Sequence, residues 1–139
     1  MLTVLALSTL THARIGETVA QCDARYGELK GMSHETTRQY VKSGFAVFAT
    51  IDKNGKCAAI YYSKMNDEKI STSELKALMR ANGTGWVSND NLGDFKVWVS
   101  GDKKAYYRDD DTLTIRTLAY IAAEKAKAEK EEAEKLNAF

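Results

Sequence analysis

The chain has 139 residues, 44% of them hydrophobic and 28% charged, with a formal net charge of +1. That composition fits one soluble globular domain with a single modest core. Near-neutrality, with no Lys/Arg run except where Glu is interleaved, argues against a nucleic-acid binder held by phosphate neutralisation.

Proline is absent, so turns fall to Gly, Asn and Asp. Residues 1–13 read as the apolar core of a signal peptide, ending Thr11-His12-Ala13 with small residues where a signal peptidase inspects the chain. The expected location is therefore periplasmic or secreted. A positively charged n-region is missing, which leaves open a start further upstream or an internal start at Met1. A buried N-terminal strand or helix is the other reading of the same run. About ten apolar residues are too few to span a bilayer, and no later segment does better, so no transmembrane span is expected. No lipid-attachment cysteine follows.

Thr18 with Gln21 forms a capping box ahead of Val19, Cys22 and Tyr26 on one helical face, and Gly27 is a stop. The pattern predicts a helix over 18–26. Residues 28–38 are polar and read as a loop, with a helical turn near Ser33–Thr37. The run from Gly44 to Ser63 carries Asn54-Gly55 between two β-rich segments, the strongest short hairpin signal. Ser71 with Glu74 is a second capping box, and Leu75, Leu78 and Met79 form one stripe, predicting a helix over 72–81. Phe95–Ser100 and Lys103–Arg108, around a Gly101-Asp102 turn, form a second hairpin. After the acidic turn 109–111, Thr112–Thr117 alternates as a fifth strand. From Ala119 to Phe139 the chain is almost wholly Ala, Glu and Lys with opposite charges four apart, which predicts an exposed helix that frays at its end; a docking or dimerising helix is the alternative.

The expected architecture is α+β. Two helix–hairpin units and a fifth strand build an antiparallel sheet with helices on one face, followed by a long C-terminal helix. The divisions are a leader at 1–13, the domain at 14–118 and the charged helix at 119–139. The two units look alike, Ile15…Arg25-Tyr-Gly27 matching Ile70…Arg80-Ala-Asn-Gly83, and Gly55–Tyr62 matching Gly101–Tyr107.

Counting register outward from a two-residue Asn54-Gly55 loop gives each face an identity. Phe45, Val47, Ala49, Ile51, Ala58, Ile60 and Tyr62 form the core face, joined from the second hairpin by Phe95, Val97, Val99 and Tyr106. The helix-free face then displays Phe48, Tyr61, Trp98 and Tyr107, with Lys96 among them. Aromatics ringed by polar groups on an open sheet suit a protein partner of unknown identity, although aromatics also decorate solvated sheet faces for local reasons. The same register puts Cys57 on the face opposite Cys22. An oxidising compartment favours a disulfide and this geometry opposes it.

The inventory for catalysis is thin. With the leader removed only His34 remains, in a polar loop beside Glu35, and neither cysteine resembles an activated thiolate. No metal-ligand spacing, calcium loop or phosphate-binding glycine loop is present. No cofactor, metal or catalytic residue is expected. Asn82-Gly83-Thr84 is a glycosylation acceptor triplet, of consequence only in a eukaryotic secretory pathway.

The opening Ile15-Gly-Glu-Thr, followed by Val19 and ending Arg25-Tyr-Gly27, resembles the first helix of small bacterial envelope proteins of the SmpA/OmlA outer-membrane assembly type. It also resembles the helix–hairpin repeat of the β-lactamase-inhibitor-like fold. The resemblance covers this helix and the order of elements. It implies an envelope protein, although the chain lacks that group's lipid-attachment cysteine and the proline that often follows the helix-ending glycine. The resulting expectation is an exported, non-enzymatic interaction module of the bacterial envelope. Inhibition of a secreted enzyme is the alternative, and a hydrolase using His34 a more remote one.

Overall fold

The computed structural model describes residues 14–34, 36–92, 95–108 and 111–138, with the backbone alone at 33–34 and 90–92. The leader reading of 1–13, the His34 side chain and the acidic pair 109–110 lie outside the described residues.

The elements follow in the order α1 (Val19–Tyr26), β1 (Gly31–His34), β2 (Thr37–Lys42), β3 (Phe45–Ile51), β4 (Cys57–Lys64), α2 (Thr72–Asn82), β5 (Val87–Leu92), β6 (Phe95–Ser100), β7 (Lys103–Arg108), β8 (Thr112–Thr117) and α3 (Leu118–Asn137). All strands join one antiparallel sheet of order β1-β2-β3-β4-β8-β7-β6-β5. Each of α1 and α2 thus leads a four-strand meander, and the two meanders meet where β4 lies beside β8.

Both capping boxes form as expected. Thr18 and Ser71 accept from Gln21 N and Glu74 N, and the two N3 side chains reach back to the cap backbones. Gly27, at φ 78° and ψ −136°, takes an extended positive-φ conformation open to glycine that ends α1, and sends its N–H to Asp23 O at 2.8 Å.

The two helix–hairpin units expected from sequence are each larger by strands that look polar. β1 and β5 are the outer strands of the sheet. β1 is four residues long and β5 reads Val-Ser-Asn-Asp-Asn-Leu, which is how edge strands avoid pairing with other chains. β1 and the start of β2 replace the loop, with its helical turn near Ser33–Thr37, expected over 28–38; β2 continues to Lys42. Its cations sit over the core face because α1 supplies partners: Arg38 Nη2 lies 3.1 Å from Asp23 and Lys42 Nζ donates to Arg25 O. By element order β4 corresponds to β8, not to β7, so the sequence match of Gly55–Tyr62 with Gly101–Tyr107 pairs strands one step out of phase.

The Asn54-Gly55 turn is also one residue longer than a two-residue loop. Asp52 and Lys56 close it through Asp52 N to Lys56 O at 2.8 Å, Gly55 has φ 73°, and Asn54 is not left-handed. Asp52 Oδ1 accepts from Asn54 N and Lys56 N. A bulge beside Ala58 then restores the expected pairing, so that Phe48 still faces Tyr61 and Ala49 still faces Ile60, while Cys57 pairs with Ile51. The bulge has a cause. Cys57 turns its backbone to the segment before α1, with Cys57 N to Glu17 O at 2.7 Å and Gly16 N to Cys57 O at 2.8 Å.

Cys57 therefore joins the core face, correcting its expected place on the opposite one. It meets Cys22 of α1, and both thiols are free and buried, at 1% and 0% exposure. Hydrogen bonding with Cys22 and burial together push the Cys57 thiol far above its ordinary range.

The core lies between the sheet and the α1/α2 layer and includes Tyr26, Tyr40, Val47, Ile60, Tyr62, Leu78, Leu113 and Ile115. Tyr26 and Tyr40 stack with centroids 5.0 Å apart, and Tyr40 Oη donates to Asp23. Burial and that carboxylate push the Tyr40 phenol up to about 12.

Asn82, 3% exposed, ends α2 at the junction of the halves. Its amide donates to Tyr62 Oη at 3.1 Å and Leu78 O at 2.9 Å, while Oδ1 accepts from Ile15 N at 3.0 Å. Its backbone carbonyl accepts from Lys103 Nζ at 2.7 Å. A side chain held this way is closed to glycosylation, so the acceptor triplet read from sequence is a structural joint.

α3 departs from the opposite side. Thr117 caps it, Tyr120 packs on the helix-free face, and no residue of α3 is buried.

Two measurements follow from this packing. Asn82→Ala, which leaves Ile15 N and Tyr62 Oη short of a buried partner, is expected to lower the unfolding free energy in urea by about 1–3 kcal/mol; unchanged stability would show that Asn82 is not the joint. Thiol titration without reductant should find no reactive cysteine in the native protein and two after unfolding, whereas none after unfolding would mean a disulfide.

Candidate functional site

Strands β2–β4 and β6–β8 contain Lys and Arg but neither Asp nor Glu. The two sheet faces treat these cations differently.

On the helix side all of them but Lys96 are used internally. Beyond Arg38 and Lys42, Lys64 Nζ lies 2.8 Å from Glu74, and Lys103 reaches Asn82 O. The Lys64–Glu74 contact holds the Glu74 carboxyl below its ordinary value, helped by Ser71 N.

On the open side the cations face away from both helices. Arg108 sits 4.8 Å from the centroid of Phe95 and Arg116 5.8 Å from that of Tyr106, within cation–π range. Phe95 and Tyr106 meet edge to face at 6.5 Å, and Phe48 and Tyr61 do so at 5.6 Å. Arg116 and Thr114 stand between two shallow hollows. One, of about 170 Å³, is bordered by Phe48, Tyr61 and Tyr120, and the other, of about 400 Å³, by Phe95 and Tyr106. Neither Lys104 nor Arg116 forms an ion pair with a carboxylate among the described residues.

Of the residues singled out from sequence, Phe48 and Tyr61 occupy this open face as expected. Lys96, Trp98 and Tyr107 do not. They lie on the helix side, lining a cleft of about 640 Å³ against α2 with Leu75, Met79 and Trp86. The second hairpin is inverted relative to the sequence reading, in which Phe95, Val97, Val99 and Tyr106 formed its core face. β7 is registered by β8, which places the fully buried Ala105 beside Ile115, and Ile115 beside Ile60 of the first half. Trp98, opposite Ala105, must share that side. Val97 is nevertheless 1% exposed on the open side, between Tyr106 and Asn89.

Phe95, Tyr106, Arg108, Arg116 and Tyr120 are the surface residues that sequence reasoning missed. Counting register from the Asp111 turn, with Leu113 and Ile115 inward, finds most of them, because Tyr107 then faces Leu113 and Tyr106 faces Thr114.

Among the described residues no group of three His, Cys, Asp or Glu side chains is placed to hold a metal ion, and no helix is long and apolar enough to cross a membrane.

No protein-family model and no curated protein matches the chain. A solved structure similar to it is that of a DUF4309 family protein (YjgB) from Bacillus subtilis, 14% identical over 72% of this chain and 78% of that one, with a TM-score of 0.46. A likeness of that degree carries no functional argument.

Proposed function

We propose that this chain is a non-enzymatic protein-interaction module of the bacterial envelope, exported behind residues 1–13, whose open sheet face seats an acidic segment of a partner protein. The observation that carries the reading is one surface bearing two aromatic pairs and three cations on strands that supply no carboxylate. Aromatic and Arg side chains are the residues that concentrate binding energy at protein interfaces. Cations on strands without carboxylates attract an acidic partner and orient it. Protein is favoured over nucleic acid because the whole chain carries a net charge of only +1 and two exposed cations with one half-buried one release too few counterions for phosphate-driven binding. Export rests on the leader sequence and its resemblance to envelope proteins. Inhibition of a secreted enzyme would be one form of the same binding.

The test is co-purification from an envelope extract of the native host, comparing wild type with Tyr61→Ala and Arg116→Glu. A partner retained by wild type should fall by roughly tenfold or more with either variant, as loss of an interface anchor entails. Equal recovery by all three proteins would remove this face from the function. A retained species that nuclease releases would replace the acidic protein with nucleic acid.

A further inference from the structure

We infer that the cleft between α2 and strands β5–β7 binds a small hydrophobic monocarboxylate, a function separate from the open face on the other side of the sheet.

The cleft, of about 640 Å³, lies within the size range of small-molecule sites. Its apolar wall is fixed before any ligand arrives. Trp86 Nε1 donates to Met79 O at 2.8 Å, and the ring lies so close to Gly83 that a Cβ there would stand 3.0 Å from its Cζ2. Trp98 is held by its place opposite the buried Ala105. Two indoles from the strand side, with Leu75 and Met79 from α2, therefore form the standing apolar walls of the cleft.

The rim carries one sign of charge. Lys76 and Arg80 are exposed one turn apart on α2, and Lys96 is exposed on β6. None of the three forms an ion pair among the described residues. Like charges four apart on a helix repel, and an anion between them and Lys96 relieves that repulsion. Asp111 does not serve as that anion, being held by Tyr107 Oη at 2.8 Å and Lys69 at 3.8 Å.

The ligand's charge is limited by desolvation. The carbonyls of Met79 and Asn82 at the end of α2 are taken by Trp86 Nε1 and Lys103 Nζ, so the rim's field is that of its side-chain cations. Stripping water from a dianion such as phosphate costs far more than from a carboxylate, and phosphate has no apolar body to set on the indoles. An apolar body on the indoles and a singly charged head at the rim complete the fit.

The chain supplies its own reporter, because both of its tryptophans line this cleft. The full chain is titrated with decanoate, hydrocinnamate and decanol while tryptophan emission is followed. A saturable change with either acid, at roughly tenfold lower concentration than with decanol, is expected from a charge-assisted head group. The double variant Arg80→Gln/Lys96→Gln, which alters only exposed side chains, should weaken the acid by roughly tenfold or more and leave decanol unchanged. Tyr61→Ala, on the far face, should leave both as in wild type, so failure here and failure of the interaction surface are read separately. The inference is overturned by the absence of any saturable change, by equal binding of acid and alcohol, or by undiminished acid binding in a double variant with the wild-type unfolding midpoint. Inorganic phosphate displacing decanoate at equal concentration would overturn the single-charge assignment.

Discussion

The pairing of β4 with β8 is the constraint on which the rest of the molecule depends. Each meander is locally connected and short-looped, so each needs only hairpin contacts to form. The seam is different: it joins residues 59–63 to 112–116, about fifty positions apart in sequence, through five consecutive residue pairs. Closing so long a loop costs entropy that only a sustained ladder and a shared core repay. Ile60 beside Ile115 and Tyr62 beside Leu113, all fully buried, supply that core. The face assignments of β6, β7 and β8 descend from this seam, because side chains alternate outward from it through unbroken registers.

A division of charge follows. The inner strands are basic, and the segments carrying α1 and α2 supply the acids, so the cations on the covered face, Lys96 apart, find partners in Asp23 and Glu74 or in helix-end carbonyls. These contacts orient helix against sheet more than they stabilise it, since exposed pairs contribute little. The same basic strands have no such cover on their other face, and there the aromatic side chains take up the cations instead. The two halves also differ. α1 fits closely over Tyr40 and Cys57, whereas α2 leans toward the seam through Leu78 and Asn82 and leaves its outer flank open. One sequence pattern, a capped helix followed by strands, thus gives a sealed core in one half and a cleft in the other.

Much of this was legible in residue order. Both capping boxes, the stop at Gly27, the hairpins and the solvated last helix all depend on interactions within a few residues. The alternation around Phe48 and Tyr61 survived because the extra turn residue and the bulge at Ala58 cancel. Cys57 was misplaced because it lies between those two compensating irregularities, and nothing local announces a bulge demanded by Gly16 and Glu17. β2 and β5 were hidden by polarity: the cations of β2 are satisfied by α1, and β5 is an edge. Trp98 and Tyr107 were put on the wrong face because Phe95, Val97 and Val99 look more core-like than Lys96, Trp98 and Ser100.

The sequence by itself determined the elements with local causes, the antiparallel α+β class and the position of one aromatic pair. Only the tertiary structure decided the strand count, the meeting of the two cysteines, the burial of Asn82 and the separation of the aromatic residues into an open face and a cleft. The physical reason is range. Caps and turns are fixed by neighbours in the chain, whereas the side a strand turns to the core is fixed by the strand beside it, and for β8 that strand is β4 in the other half of the molecule.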